Sequence, residues 1–434
     1  MLMNVIAAVV TVLTFWAIIK KVEVRLALLT GGLVMGVIAW NLQSWSDAFA
    51  RNMTFAGLLL TIPPVMGFAA VMELTGCNAH LVKLLTDPLI RVRPILIPGA
   101  MLVTFFVNVA LTSAAGTTAA VGVVLIPAMM AAGVHPAMAA AAVFAGTWGS
   151  IWNPGNPHNP VIAKIANVPV MDVIFAQTKV TFFIALLVAV ILYLEGKLFH
   201  QDRGWTPEKA GSDLAQIAKS QKVGIERVNV LWAIIPVIPL LILLITNIDW
   251  IMSRVAFLPK NVTVLVAMLI GAFLGMLVTW TSPVKICNKF FEGMGYAYGF
   301  VFGIIIAAGA FIGGLEGAGV IKNLIEAMKS AQHAVPLFGT FGPWLIAIVS
   351  GSGDAATLAF NNAVTPHAAQ FGISAVNLGN LANIGGALGR SMSPVAAGCI
   401  IAAGFAGVNP FEIAKRNAVP MTIGAILVML FLAG

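Results

Sequence analysis

Apolar runs near the length of a bilayer-spanning helix follow one another along almost the whole chain. They cover about 2–19, 26–41, 54–75 and 173–195, then 229–247, 261–280, 295–315 and 413–433. Two long apolar regions punctuated by proline and glycine, 94–167 and 335–407, fill the gaps. A helix crosses a bilayer with about 20 apolar residues. Only 9% of the residues are charged, against about a quarter in soluble domains. The expectation is an all-α polytopic membrane protein. A transmembrane β-barrel would need short alternating segments, and the sequence has none. The first run, Leu2 to Ile19, has no basic segment before it and no small-residue cleavage site after it. It reads as a retained helix rather than a signal peptide.

The net charge of +8 fits basic residues gathered in cytoplasmic loops. No basic stripe or recognition motif accompanies it, so nucleic acid is not an expected partner. Cys77, Cys287 and Cys399 stand alone, without the spacing of a metal site or a disulfide framework. No Walker motif and no nucleophile–base pattern emerges, so neither ATP drive nor an enzyme is expected.

The one long hydrophilic stretch, 197–228, reads as a cytoplasmic linker, with Trp205-Thr-Pro able to open a short surface helix. It separates two halves, 1–196 and 229–434, that match in register. At an offset of 243, Glu73 falls on Glu316 and Gly76 on Gly319. At 239, Ser113 falls on Ser352, Thr118 on Thr357 and Pro127 on Pro366. At 240, Gly149 falls on Gly389, Pro154 on Pro394 and Asp172 on Glu412. A near-constant register across such a length reads as an internal repeat, the hallmark of secondary transporters. Each half is expected to hold scaffold helices, a hairpin (about 94–131 and 335–371) and a broken transmembrane helix (about 136–167 and 375–407). If each hairpin enters and leaves on one side, sixteen Lys and Arg fall on the cytoplasmic side and seven opposite. That bias makes the repeats inverted.

The chemistry concentrates at the hairpin tips and breaks. The first tip, Leu111-Thr-Ser-Ala-Ala-Gly-Thr-Thr-Ala119, offers Thr112, Ser113, Thr117 and Thr118. The second, Ser350-Gly-Ser-Gly-Asp-Ala-Ala-Thr357, offers Ser352, Gly353 and Thr357, with Asn361 following. Hydroxyls and exposed amides at a helix start can hold an anion, although small residues also serve simple helix packing. The first break, Gly149-Ser-Ile-Trp-Asn-Pro-Gly-Asn-Pro-His-Asn-Pro160, cannot be a continuous helix and supplies Asn153, Asn156 and His158. His158 is a candidate proton carrier or a packing histidine. The second break, Leu388-Gly-Arg-Ser-Met-Ser-Pro394, supplies Arg390, Ser391 and Ser393. A guanidinium matches a carboxylate with two parallel bonds, so Arg390 points to an anionic substrate. Charges at membrane depth mark function. Asp354, with Ser350 and Asn383, is the candidate site for a coupling ion, Na⁺ or H⁺, or Asp354 pairs with Arg390. Glu73 and Glu316 read as structural helix-end residues. No cofactor is expected.

Ser350-Gly-Ser-Gly-Asp354, Leu388–Pro394 and Pro410-Phe-Glu-Ile-Ala-Lys-Arg416 resemble the anaerobic C4-dicarboxylate uptake C (DcuC) family, within the ion-transporter superfamily of carboxylate carriers. The resemblance implies a bacterial inner-membrane carrier of succinate, fumarate, malate or similar dianions, working by exchange or cation-coupled symport. It also implies opposed re-entrant hairpins around the substrate, and a homodimer with a scaffold and a moving transport domain in each protomer. The superfamily's usual Ser-Asn-Thr tips are absent here, so its ion ligands do not carry over. The rival reading is a monovalent cation/proton antiporter with Asp354 as the ion site.

Overall fold

A computed structural model describes residues 2–198, 227–246, 262–323 and 334–433, together with residue 326 and leaving out positions 21, 55, 91, 93 and 94. The described residues form helices and connecting turns, with no strand among them. The first half runs α1 Leu2–Ile19, α2 Val24–Ile38, α3 Leu42–Met53, α4 Ile62–Leu74, α5 Cys77–Ile90, α6 Leu96–Ala110, α7 Ala114–Ala131, α8 Pro136–Ala145, α9 His158–Ala166 and α10 Val170–Leu198. The second runs α11 Val230–Thr246, α12 Val264–Thr279, α13 Pro283–Tyr296, α14 Gly303–Gly317, α15 Val335–Ser350, α16 Gly353–Ala363, α17 Ala375–Arg390, α18 Ala397–Ala406 and α19 Pro410–Leu432.

Four stretches among the described residues are long and apolar enough to cross a membrane: α7, α10, α13 to α14 taken together, and α19. Helices α4 and α5 meet at a 75° bend and make a fifth if counted as one broken span. The helices α6 and α15, of 15 and 16 residues, are apolar but short. At 1.5 Å per residue they cover about 23 Å, less than the ~30 Å hydrocarbon layer.

Two helices are absent from the apolar pattern. Helix α3, Leu42-Gln-Ser-Trp-Ser-Asp-Ala-Phe-Ala-Arg-Asn-Met53, is amphipathic and has Asn41 as its N-cap. Helix α13 carries Lys285, Lys289 and Glu292. Both hide behind the rule that looks for continuous apolar runs, because only one face of each is apolar. The expected run at 295–315 is the far end of a longer element, in which a π-helical segment, Ala297–Phe302, joins α13 to α14. The expected run at 54–75 is divided, with α4 beginning at Ile62-Pro-Pro64. Most of the expected linker, 199–226 with Trp205, lies outside the described residues.

Packing interleaves the halves. One buried cluster joins α6, α7, α8 and α10 to α17, α18 and α19, through Phe105, Phe144, Trp148, Leu388 and Met421. A second joins α1 and α2 to α14, α16 and α17, through Leu28, Met35, Phe311 and Leu378. A third joins α4 to α11, α12 and α13, through Phe68, Met72, Met268 and Phe290. Small residues let these helices close. A Cβ on Gly32 would lie 2.6 Å from the Phe311 backbone, and one on Gly293 2.6 Å from the Met66 carbonyl oxygen. Such close approach is how helices associate where lipid supplies no hydrophobic drive.

Candidate functional site

The break after α8 is built from residues that cannot carry a helix onward. Helix α8 stops at Gly146, a short 3₁₀ turn covers Gly149–Trp152, and Asn153-Pro-Gly-Asn-Pro157 follows. Proline supplies no N–H, and its ring obstructs the preceding turn. The freed carbonyls must find donors inside the protein, because lipid offers none. Side-chain amides provide them. Asn159 donates to the carbonyls of Ile151 at 2.8 Å and Asn153 at 2.9 Å. Gln177 on α10 donates to Ile151 at 3.0 Å. Asn153 donates to the Val109 carbonyl at 2.7 Å, tying the break to the end of α6. Asn156 reaches the Ser150 hydroxyl at 3.4 Å and accepts from the His158 N–H at 3.1 Å.

The break between α17 and α18 uses corresponding positions with different chemistry. Ser393 donates to the Ile348 carbonyl at 2.6 Å, as Asn153 does to Val109. Asn417 on α19 donates to the Ser391 carbonyl at 2.9 Å, as Gln177 does to Ile151. Ser391 itself donates back to Ala387 at 2.9 Å.

The tips differ too. At the first, Ser113 caps α7 by accepting from the Gly116 N–H at 3.1 Å, and both residues are exposed. Thr117 turns inward to Leu111 and Asn108, and Thr118 donates to Ala114. Thr112 lies 3.9 Å from the Met66 sulfur. This tip opens onto a cavity of about 580 Å³. At the second, Gly351 has φ +75°, and a Cβ there would meet the Val395 backbone at 2.9 Å, so a side chain is excluded twice over. Ser350 donates to the Ile346 carbonyl, Thr357 to Ala382, and Asn361 accepts from Thr365. Ser352 makes no capping bond, and Gly353 packs against the Gly386 carbonyl.

The two charges reach across to the first half. Asp354, at the second position of α16, accepts from His158 Nε2 at 3.1 Å. His158 is the first residue of α9. The histidine is buried, whereas 52% of the Asp354 side chain is exposed. With Asp354 ionised, Nε2 carries the proton, which leaves Nδ1 buried without a partner. Asp354 therefore hydrogen-bonds to His158, whereas its pairing with Arg390, one alternative in the sequence, is not a direct bond here. Arg390 Nη2 instead donates to the Thr147 carbonyl at 2.6 Å, at the end of α8. A guanidinium has five donors, and this is its one hydrogen bond among the described residues. Asn383 donates to Asn159 at 3.2 Å and leaves its own oxygen buried without a partner.

Asn108, Thr147, Gln177, Asn380 and Asn417 complete this framework, and the sequence reading passed over all five. Asn108 accepts from the Ser150 N–H at 2.9 Å, and Asn380 donates to the Val173 carbonyl at 3.0 Å. The register that paired Pro154 with Pro394 also pairs Gln177 with Asn417, a signal that could have found them. No cluster of three or more His, Cys, Asp or Glu fit for a metal ion occurs among the described residues. Glu73 and Glu316 sit one residue before the ends of α4 and α14, both exposed.

The family model for the C4-dicarboxylate anaerobic carrier, DcuC, matches residues 46–434. A Haemophilus influenzae protein described as an uncharacterized transporter is 40% identical over 281 residues, 64% of this chain and 99% of the relative. The anaerobic C4-dicarboxylate transporter DcuC of Escherichia coli K12 is 27% identical over 379 residues, 85% of this chain and 79% of the relative. The solved structure of Neisseria gonorrhoeae MtrF, described with a class of antimetabolite efflux pumps, matches with a TM-score of 0.61. That match covers 90% of this chain and 83% of MtrF at 15% identity, a likeness of fold alone.

Proposed function

The chain belongs to the DcuC family of C4-dicarboxylate anaerobic carriers, and on that premise we propose that it is a secondary active transporter of small carboxylates in a bacterial inner membrane. C4-dicarboxylates such as succinate, fumarate and malate are the first candidates, carried by exchange or by symport with Na⁺ or H⁺. Its relatives are transporters rather than enzymes.

The observation that carries the carboxylate reading is the bonding of Arg390. One hydrogen bond, to Thr147, fixes the guanidinium and leaves the rest of its fork for a bidentate carboxylate. The helix starts at Ser113 and Ser352 offer amides and a positive dipole end for an anion. Among the residues singled out above, Thr112, Ser113, Ser352 and Arg390 keep the most freedom for substrate. Thr117, Thr118, Asn153, Asn156, Thr357, Asn361, Ser391 and Ser393 are bound into the framework that holds them in place.

Two inverted repeats with re-entrant hairpins are part of the proposal. The order of short apolar helix, turn, second helix, broken crossing and long helix occurs from α6 to α10 and again from α15 to α19. The short reach of α6, α15 and α16 supports hairpins that do not cross, while α7 alone of the four hairpin helices has the length of a span. A homodimer and elevator-type alternating access complete the reading, by family resemblance.

Counterflow of labelled C4 and C5 acids in proteoliposomes, with and without Na⁺, tests it. Saturable succinate exchange is expected, and a panel with no accelerated uptake of any C4 acid overturns the reading. The exposed Asp354 carboxylate favours one rival, a cation/proton antiporter. A melting temperature raised by succinate supports the carrier, and one raised by Na⁺ alone supports the rival.

A further inference from the structure

The cavity at the first hairpin tip has a composition of its own. Its volume of about 580 Å³ falls within the ~300–1,000 Å³ of small-molecule clefts. Ser113 and Gly116 of the tip line it, and both are exposed. Its walls include Ala69, Ala70, Ala79 and Gly293, which offer neither bulk nor polar grip. Its charges come from Glu73, Lys83, Lys289 and Glu292, two of each sign. Lys289 donates to Glu292 at 2.8 Å, one turn along α13, and Lys83 pairs with Asp87 at 3.2 Å, one turn along α5. Both join neighbours on one helix, the Lys289 pair exposed and the Lys83 pair half-buried, and such local pairs are weak. An ammonium has three donors, so each lysine can take a second carboxylate without first losing its partner.

We propose that this cavity is the aqueous vestibule through which a small dianion reaches the first hairpin tip, and that Lys289 is the cation that receives it there. The proposal rests on the carboxylate-carrier reading and adds the access route and its receiving residue. A dicarboxylate that comes to Lys289 shares the ammonium with Glu292, and the nearby carboxylates of Glu292 and Glu73 keep the stay short. A vestibule of uncompensated lysines would hold a dianion, whereas a route must bind weakly enough to release. From there the cavity leads to Ser113 and Gly116, past walls that are mostly apolar. The lysines belong to loops and helix faces that the basic-residue bias assigns to the cytoplasm, so the vestibule opens on that side.

Two measurements test this independently. Cys77 and Cys399 are buried and Cys287 is exposed, so a Cys287→Ser background leaves no exposed native thiol. In that background, Ala120→Cys places a thiol on the cavity wall. A membrane-impermeant maleimide is expected to label it in inside-out vesicles and not in right-side-out ones. Absence of labelling from the cytoplasmic side overturns the vestibule, whatever the substrate proves to be. Lys289→Gln is expected to raise the KM for succinate about 3- to 10-fold with little change in maximal rate, and to weaken the dependence of KM on ionic strength. An unchanged KM and salt dependence, in a preparation whose parent protein exchanges succinate, overturns the role of Lys289. Failure of the parent protein to exchange any C4 acid counts instead against the carrier reading, while the labelling still decides the vestibule.

Discussion

The two breaks, 146–157 and 391–396, do the same mechanical work with different residues. In the first, amides supply the donors: Asn153 and Asn156 within the break, Asn159 at the start of α9 and Gln177 beside it. In the second, hydroxyls do most of this, with Asn417 as the outside amide. The first break holds no Asp, Glu, Lys or Arg, and the second half holds both Asp354 and Arg390. Yet neither charge finds its bonded partner in its own half. Asp354 bonds to His158 and Arg390 to Thr147. The comparison separates two tasks. Holding open a broken helix needs only neutral donors at the right positions. Choosing an anion, in the proposed carrier, needs charge, and one half supplies the charged residues while the other supplies the groups they bond to.

The sharpest break in the comparison is at position 390 against its counterpart, Ser150. Arg390→Ala removes a charge-assisted donor, a loss of about 2–5 kcal/mol where such a charge is desolvated, or at least roughly 30-fold in succinate uptake. Ser150→Ala is expected to stay within about twofold, because the Ser150 backbone N–H makes the 2.9 Å bond to Asn108 and the hydroxyl makes only the long 3.4 Å one from Asn156. Equal losses at the two positions would erase the charge asymmetry. Asp354→Asn comes next. It keeps an acceptor for His158 but removes the charge, and is expected to cut uptake about tenfold, in line with the ~1.5–3 kcal/mol of a charged hydrogen bond. Uptake at the parent rate would show that the Asp354 charge has no part in transport.

Smaller effects test the framework. Asn417→Leu deprives the Ser391 carbonyl of its side-chain donor, at about 1–3 kcal/mol. Gln177→Leu should cost less, because Asn159 still donates to Ile151. Thermal melts in detergent would rank the two, and a reversed order would contradict this bonding. The smallest contrast lies at the tips. Ser113→Ala loses a helix cap, about 1 kcal/mol, whereas Ser352→Ala loses none and should leave the melting temperature almost unchanged. If Ser352→Ala nonetheless weakens uptake, its hydroxyl contacts substrate.

Much of the architecture was legible because it depends on local chemistry. The turn at Leu111–Ser113, the break at Asn153–Pro157 and the one at Ser391–Ala396 all fall where glycine, proline and small polar residues interrupt an apolar run. Helices α3 and α13 were not legible, since an amphipathic segment in a membrane protein resembles a loop until its apolar face is seen against α14 and α4. Gln177 and Asn417 lie in apolar helices with no motif around them to mark them. Only the folded chain shows a carbonyl of a broken helix waiting opposite each.

Sequence alone determined that this chain is a bundle of membrane helices interrupted in two places, and that the tip and break of the second half carry two charges, Asp354 and Arg390, where those of the first carry none. Those features follow from hydropathy and backbone chemistry over a few residues. It did not determine which groups those charges meet. The 196 residues between His158 and Asp354, and the 243 between Thr147 and Arg390, carry no periodic signal of contact. Their pairing exists because the packed cores bring α8 and α9 against α16 and α17. Tertiary structure alone decided that Asp354 answers to a histidine and leaves Arg390 with donors to spare.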